Sequence, residues 1–322
     1  MTLTQLRAFL LAARLGSFTA AAACLQMSQP AISDLVRRLE AELKAALFRR
    51  RPKSLTLTPA GEALLPYAEQ AVSNADMGAK AVRSLATLSG GQASFGLLRN
   101  ANFYLSADLA ARFHHLYPKV QIRLLGQNSV ETANDVRSGV LEAGLVTLPI
   151  DTDGLDVLPV ARDEVLYVTA RPERAASPVT IHDLCRRPLV LYDAHYAERD
   201  PARCQLARRA ELIGRKLSPL IEVEYLPAAL DMVAAGLGDT IACAASKASE
   251  IDTRQLHTVT FAEPLYDTLA VIRRRGELIS PASREFARLA VKSLLDNPAR
   301  VDSLTLLIND STVVEDFLTD RL

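Results

Sequence analysis

Gln29, Ser33 and Arg37 stand four residues apart, while Ile32, Leu35, Val36 and Leu39 recur with the same period on the opposite side. A helix through them buries the apolar stripe and turns an amide, a hydroxyl and a guanidinium outward, with Asp34 alongside. Such a face donates and accepts hydrogen bonds. Further along, Arg49-Arg50-Arg51-Pro52-Lys53 separates Leu47-Phe48 from the alternating Leu55-Thr56-Leu57. That pattern predicts a hairpin with a basic turn, able to lay arginines along phosphates or into a minor groove. Charge along the chain agrees. Residues 1–61 hold nine of the 37 basic residues and three of the 37 acidic ones, so this end carries +6 and the remainder −6. A basic end on an otherwise acidic chain suits a polyanionic partner.

The elements that position these groups are short helices. Leu3, Leu6, Phe9, Leu10 and Ala13 give a first helix one buried face, and Gly16 ends it. Ser17 is placed to cap a second helix over 18–25. Ser28 is placed to cap a third, with Pro30 tolerated in its first turn where no intrahelical amide bond is lost. Two short helices joined by a tight turn, the second polar and basic outside, describe a helix-turn-helix.

The run Ser17-Phe18-Thr19-Ala20-Ala21-Ala22, Leu25, Ser28-Gln29-Pro30-Ala31-Ile32-Ser33, Arg37-Arg38-Leu39-Glu40, Leu43, Leu47-Phe48-Arg49-Arg50 and Leu57-Thr58-Pro59-Ala60-Gly61 resembles the N-terminal domain of LysR-type transcriptional regulators. The resemblance implies a winged helix-turn-helix that binds double-stranded DNA. It places Ser28, Gln29, Pro30, Ser33 and Asp34 at the DNA, Arg37 and Arg38 on the backbone, and Arg50, Arg51 and Lys53 in the wing. Asp34 departs from the basic or amidic residue common there. A carboxylate repels phosphates but can accept from cytosine N4. Ala20, Ala23 and Cys24 replace residues that are often charged.

Thr58 and Pro59 suit the N-cap and first position of a long helix. Along 64–88 the residues Leu64, Ala68, Ala71, Ala75, Ala79, Val82 and Ala86 form a seam of small side chains. The seam suits either pairing with a second copy or packing on its own domain, and the family pairs through this helix. Pro66 and Gly78 should weaken the helix locally. Residues 89–91, Ser-Gly-Gly, make the hinge.

From Gln92 onward, strand-like runs (120–125, 143–147, 165–170, 189–192, 220–225, 240–244 and 269–273) alternate with helical stretches (105–116, 131–138, 202–213, 228–235 and 281–295). This alternation predicts an α/β domain with mainly parallel sheets and ligands bound beyond the carboxyl ends of strands. Several pieces resemble the LysR-type effector domain: Ala111-Arg112-Phe113, Tyr117-Pro118, Ser138-Gly139, Leu141-Glu142, Gly154-Leu155 and Val233-Ala234-Ala235-Gly236-Leu237-Gly238. The resemblance implies two Rossmann-like subdomains of periplasmic-binding-protein type, joined by two crossing strands, with the effector between them. Subdomain one would span 92–160 and 267–300, and subdomain two 161–266. Asp239 stands where an apolar residue is usual, and Ala244-Ala245 where Leu-Pro is common, so unusual packing is expected in subdomain two. The organisation is then a DNA-binding domain over 1–58, a linker helix over 59–89, a regulatory domain over 90–300 and an extension over 301–322.

Strand ends nominate the cleft residues: Arg99, Asn100 and Asn102 after the first strand, Thr147 at the end of the third, and Asp193 and His195 after 189–192. Ser129 opens a helix where the family often has an effector-binding Ser or Thr. Helix N-termini together with Arg99 point to an anionic effector. In the extension, Ser311 can cap a helix with Val314, Phe317, Leu318 and Leu322 on one face, which either docks on a neighbour or its own domain or frays.

Catalysis has no visible constellation. His114-His115 has no metal-ligand partner at usable spacing, and GxSxG, HExxH, GxxxxGK and GxGxxG motifs are absent. No metal, cofactor or enzyme activity is expected. The four cysteines (Cys24, Cys185, Cys204, Cys243) form no CxxC pair, which fits a reducing cytoplasm. Arg14 interrupts the apolar run 8–13, too short for a signal peptide, and no stretch approaches a membrane span. A solute-binding protein would fit the α/β part alone but leaves the basic end unexplained. The expected partners are double-stranded DNA, a small-molecule effector, RNA polymerase and further copies of the chain, as a homodimer or homotetramer.

Overall fold

The computed structural model describes residues 1–51, 54–84, 90–106, 108–296 and 304–319, the side chains of 50, 51, 54 and 78–84 excepted. The chain forms two units, one of residues 1–83 with 138–140 and one of the remainder.

In the first unit α1 (Leu3–Leu15) opens with a capping box between Thr2 and Gln5 and ends at Gly16, whose φ of 60° is left-handed. Ser17 caps α2 (Phe18–Leu25) by accepting the Ala20 N–H, and Ser28 caps α3 (Gln29–Leu43) by accepting that of Ala31. The core is Leu6, Phe9, Ile32, Val36, Leu39, Leu47 and Phe48 over a floor of small residues, Ala8, Ala12, Ala21 and Ala22. Phe48 sits centrally, its ring 5.5 Å from those of both Phe9 and Phe18. It opens β1 (Phe48–Arg51), which pairs antiparallel with β2 (Ser54–Leu57). Arg49, Arg50 and Arg51 therefore lie in a strand and not, as expected, in the turn. Pro52 and Lys53, and the side chains of Arg50 and Arg51, lie outside the described residues. Glu40 ties the wing to α3, its Oε1 accepting the amides of Leu47 (2.8 Å) and Phe48 (3.2 Å).

Thr58 starts α4 (Pro59–Ser84) by accepting the Gly61 N–H at 3.1 Å while donating to the Ala46 carbonyl at 2.6 Å. Gly61 is required by space: a Cβ there would lie 2.4 Å from the Leu47 carbonyl oxygen. The helix continues through Pro66. Leu64, Ala68 and Ala71, from the first half of the expected seam, pack on the unit's own core. Ala79, Val82 and Ala86 lie outside the described side chains.

The second unit runs β3 (Gln92–Leu98), α5 (Leu109–Leu116), β4 (Gln121–Gln127), α6 (Ser129–Ser138), β5 (Ala143–Leu148) and β6 (Leu155–Thr169). Then follow α7 (Ile181–Leu184), β7 (Val190–Leu191), α8 (Pro201–Leu212), β8 (Ile221–Glu222), α9 (Leu226–Ala234), β9 (Thr240–Cys243) and β10 (His257–Val259). The chain returns through β11 (Tyr266–Arg274) to α10 (Pro281–Leu295), β12 (Leu304–Leu306) and α11 (Thr312–Leu318). β3 pairs parallel with β4 and β5, and β7 with β8. The long strands β6 and β11 pair antiparallel with each other and with their other neighbours. The sheets are thus mixed and not mainly parallel, because β6 carries the chain into the second subdomain and β11 carries it back. β6 is also far longer than the expected 165–170. Its first part pairs with β11 and β12, its last with β9 and β10. Helices α6 and α9 begin two residues earlier than expected and α5 four later, a short 3₁₀ turn taking up 101–103.

Subdomain one packs Phe286 of α10 between Phe95 (5.5 Å) and Phe113 (5.2 Å). In subdomain two, buried Asp239 accepts from Thr169 and pairs with Arg174. That ion pair accounts for a carboxylate at an apolar position. The extension docks on its own domain: β12 lines up Leu304 opposite Asp163, and Val314, Phe317 and Leu318 of α11 are buried. Phe317 lies under the Arg273 guanidinium, 5.2 Å from ring centre to carbon.

Candidate functional site

Two sets of polar side chains are presented. On α3 the apolar residues Ile32, Val36 and Leu39 are buried, which turns Gln29 and Arg37 to solvent and leaves Ser33 half-buried between them. Ser28 and Pro30 are exposed at the helix start. Asp34 is engaged along the same helix: its carboxylate pairs with Arg37 and, at 2.7 Å, with Arg38 Nε. The Arg37 hydrogen bond holds the Asp34 carboxyl below its ordinary value. Asp34 thus sits under a local positive field, and both arginines are partly neutralised before any polyanion arrives.

The second set lies where β3, β4, β5 and β7 end. A cavity of about 40 Å³ is lined by Arg99, Asn100, Thr147 and Asp193, expected from strand ends, and by Ser129, expected from the family resemblance. Asn102 is exposed and outside it. His195 is also exposed, its ring against Tyr196. Both drop out because the chain turns within two residues of each strand, carrying later side chains off the cleft wall. Tyr192, Asn128, Asp200 and Asp267 line the cavity without having been expected.

Asn128 holds the two sides together. Its Nδ2 donates to Asp193 Oδ1 (3.0 Å) and Asp200 Oδ2 (3.2 Å), and its Oδ1 accepts the Val130 N–H (2.9 Å). Ser129 Oγ accepts from the Thr147 amide at 2.9 Å, fixing α6 to β5. Asp200 caps α8, accepting the amides of Ala202 and Arg203, each at 3.1 Å. Asp193 adopts a left-handed φ of 57°, costly for a residue with a Cβ.

Arg99 carried the expectation of an anionic effector, and in the structure its guanidinium is engaged by neighbouring acids. The guanidinium lies 3.2 Å from Asp193, pairs with Glu224, donates to the Glu224 carbonyl at 3.0 Å and packs on Tyr225. Its charge is met from within the protein. The cavity wall carries three carboxylates, Asp193, Asp200 and Asp267, to this one cation.

Residues 3–62 match the bacterial regulatory helix-turn-helix domain of the lysR family, and residues 86–294 match the LysR substrate binding domain. The chain belongs to the LysR family. It is a LysR-family transcriptional regulator with a DNA-binding helix-turn-helix and a substrate-binding domain. Among its relatives, the probable RuBisCO transcriptional regulator of Synechocystis is 28% identical over 314 residues, covering 96% of this chain and 91% of the relative. The uncharacterized HTH-type transcriptional regulator YbhD of Escherichia coli is 25% identical over 303 residues, 92% of each. A full-length OxyR variant of Pseudomonas aeruginosa shares the fold with a TM-score of 0.67 at 22% identity, over 95% of this chain and 98% of that one. CbnR complexed with its target DNA does so at 0.61 and 22%, over 91% and 100%. Among the described residues no helix is long and apolar enough to cross a membrane, and no three His, Cys, Asp or Glu side chains gather to hold a metal.

Two expectations follow for this LysR-family chain. Burial, and then the neighbouring Asp193 charge, pushes the Asp200 carboxyl up to about 7, and burial raises Asp193 and Asp267 in the same direction. An acid whose folded value is raised keeps its proton in the native state after the unfolded chain has lost it. Stability therefore falls as pH rises from about 4 towards 7. Urea unfolding of the regulatory unit should show lower stability at pH 8 than at pH 5, with a smaller difference in Asp200→Asn. Equal pH dependence in the variant would remove Asp200 as its source. On α3, Asp34→Asn should free Arg37 and Arg38 and tighten binding to non-cognate duplex by about two- to fivefold, the effect of losing exposed ion pairs. The salt dependence should steepen by about one counterion. Unchanged binding in a fluorescence titration at two salt concentrations would show that the pair does not compete with phosphate.

Proposed function

We propose that this chain reads a partly palindromic operator through α3 and that occupancy of its cleft by a small polar molecule alters that reading. The observation that carries the proposal is the outward face of α3. Gln29 and Ser33 lie on it with side chains that hydrogen-bond base edges, and Ser28 and Pro30 lie at its start. Asp34 can accept from a cytosine amino group. Arg37 and Arg38 then hold the phosphates, with Arg50, Arg51 and Lys53 of the wing continuing the track. Two copies place two such helices on half-sites a helical turn apart, as a homodimer or a homotetramer, and transcription is then altered through contact with RNA polymerase.

On the effector side, Arg99, Asn100, Ser129 and Thr147 would bind from one subdomain and Asp193 from the other. A ligand touching both biases the angle that β6 and β11 allow between them. The test is capture of genomic fragments by the purified chain, repeated with Gln29→Ala and Ser33→Ala. Partly palindromic sites enriched by the parent and lost from both variants are the expected result. Enrichment that is indifferent to sequence and to both substitutions would overturn the proposal.

A further inference from the structure

We propose that the molecule recognised in this cleft presents a positively charged nitrogen group, an ammonium or a guanidinium, to Asp193, Asp200 and Asp267. This rests on the reading of the cleft as the effector site and names the ligand's charge. The decisive residue is Asp267 on β11. It is 8% exposed, lines the cavity, and its buried Oδ1 meets no hydrogen-bond donor. A carboxyl buried without a partner is costly, and such groups recur where a ligand completes the site.

The surrounding charges show which kind of ligand completes it. From β3 comes Arg99, already held by Asp193 and Glu224. From α8 comes Arg203, which pairs with Glu222 of β8 and donates to the Tyr192 carbonyl at 3.2 Å. Asp163 of β6 stands opposite Asp267 in the strand register, and its own Oδ2 accepts from Tyr104 (3.1 Å) and from the Ala245 amide (3.0 Å). After Arg99 and Arg203 have met Asp193, Glu222 and Glu224, neither Asp200 nor Asp267 has a cation in ion-pair contact among the described residues. Asp200 spends one oxygen on the helix amides and the other on Asn128. An entering anion would find the one cation of the wall already held and would oppose any loss of protons from these carboxyls, whereas an entering cation can pair with each as it gives up its proton.

Size and donor set narrow the class. About 40 Å³ accommodates a head group of a few water-sized atoms, since a single water needs roughly 10–15 Å³ on that measure. Among the described residues no cluster suited to a bare metal ion exists. An organic cation with N–H donors also satisfies the open oxygen of Asp267, which a quaternary ammonium could not. Because these carboxyls hold protons more firmly than ordinary ones, a cation entering the cleft displaces protons to solvent, and its affinity rises with pH.

Titration calorimetry on the full chain tests this with methylammonium, methylguanidinium and putrescine against acetate and succinate, at pH 6 and pH 8 in two buffers of different ionisation enthalpy. At least one cationic probe should bind with proton release and more tightly at pH 8, and the two carboxylates should not. Asp267→Asn, and independently Asp200→Asn, should weaken that binding at least tenfold with thermal unfolding close to that of the parent. Binding of the carboxylates alone would overturn the charge assignment while leaving the effector site in place. No binding of any probe, or cation binding indifferent to both substitutions, would overturn it as well. A cation that binds as expected yet leaves operator affinity unchanged in the same samples would sustain this inference and defeat the regulatory reading it rests on.

Discussion

Asn128→Asp should leave the regulatory unit near parental stability at pH 5 and cost it about 3 kcal/mol or more at pH 8, the usual scale for a buried charge left without a partner. The substitution changes one nitrogen to oxygen with almost no change of shape. That nitrogen now donates to Asp193 and Asp200 at 3.0 and 3.2 Å. A carboxylate oxygen in its place would face two others. The cluster survives only while protons replace the lost donors. At pH 5 Asp200, which titrates at about 7, still carries one. By pH 8 that proton has gone, and the new acid, raised like its neighbours, draws the native state in the same direction. Denaturant unfolding at the two pH values decides the matter. An equal loss at both would mean that Asn128 contributes shape alone.

The second large effect falls in the other unit. Phe48→Ala should destabilise the helix-turn-helix by about 3–5 kcal/mol, the range for emptying a buried aromatic site. It should abolish DNA binding while leaving the regulatory unit's transition in place. The cavity cannot collapse, because the residues beneath are alanines (Ala8, Ala12, Ala21, Ala22) with no side chain to swing inward. Phe48 also begins β1, so the wing loses the ring that packs it against Phe9 of α1 and Phe18 of α2, while the amide bonds of Leu47 and Phe48 to Glu40 remain. For a domain this small, whose total stability is of the order of 5–15 kcal/mol, such a loss is decisive. Calorimetry resolving two transitions would show the first shifted strongly downward. A shift of less than about 1 kcal/mol would mean that Phe9 and Phe18 repack around the gap.

Local chemistry was legible in the sequence where it acts within a few residues. Ser17 and Ser28 cap the helices expected of them, Pro30 lies in a first turn, and α10 spans Pro281–Leu295 as read. Pairing across long separations was not legible. The part of β6 from Leu155 to Glu164 contains Asp156, Pro159, Arg162, Asp163 and Glu164, with no alternation to betray a strand. It is a strand because β11, about a hundred residues on, pairs with it. The cleft repeats the lesson. The strand-end rule found Arg99, Thr147 and Asp193, since each follows or ends a run visible by itself, and the family resemblance supplied Ser129. It could not find Asp267, which lies within a strand, nor Asp200, which reads as an ordinary cap before Pro201. The engagement of Arg99 was hidden for the same reason: the acid that pairs with it, Glu224, lies 125 residues away.

The return of β11 and α10 to subdomain one also sets an order of assembly on the ribosome. The helix-turn-helix has every residue of its core by Ala68 and can fold as soon as it emerges. Subdomain one begins at Gln92 but stays incomplete until α10 arrives: the Ser94 amide donates to Ser283, 189 positions later, and Phe95 packs on Phe286. For most of its synthesis this chain is therefore a finished DNA-binding head trailing an open β3–β4–β5 half-sheet. Contacts so distant in sequence form slowly. A nascent chain stalled before residue 281 could already occupy DNA, beyond the reach of any signal the cleft receives.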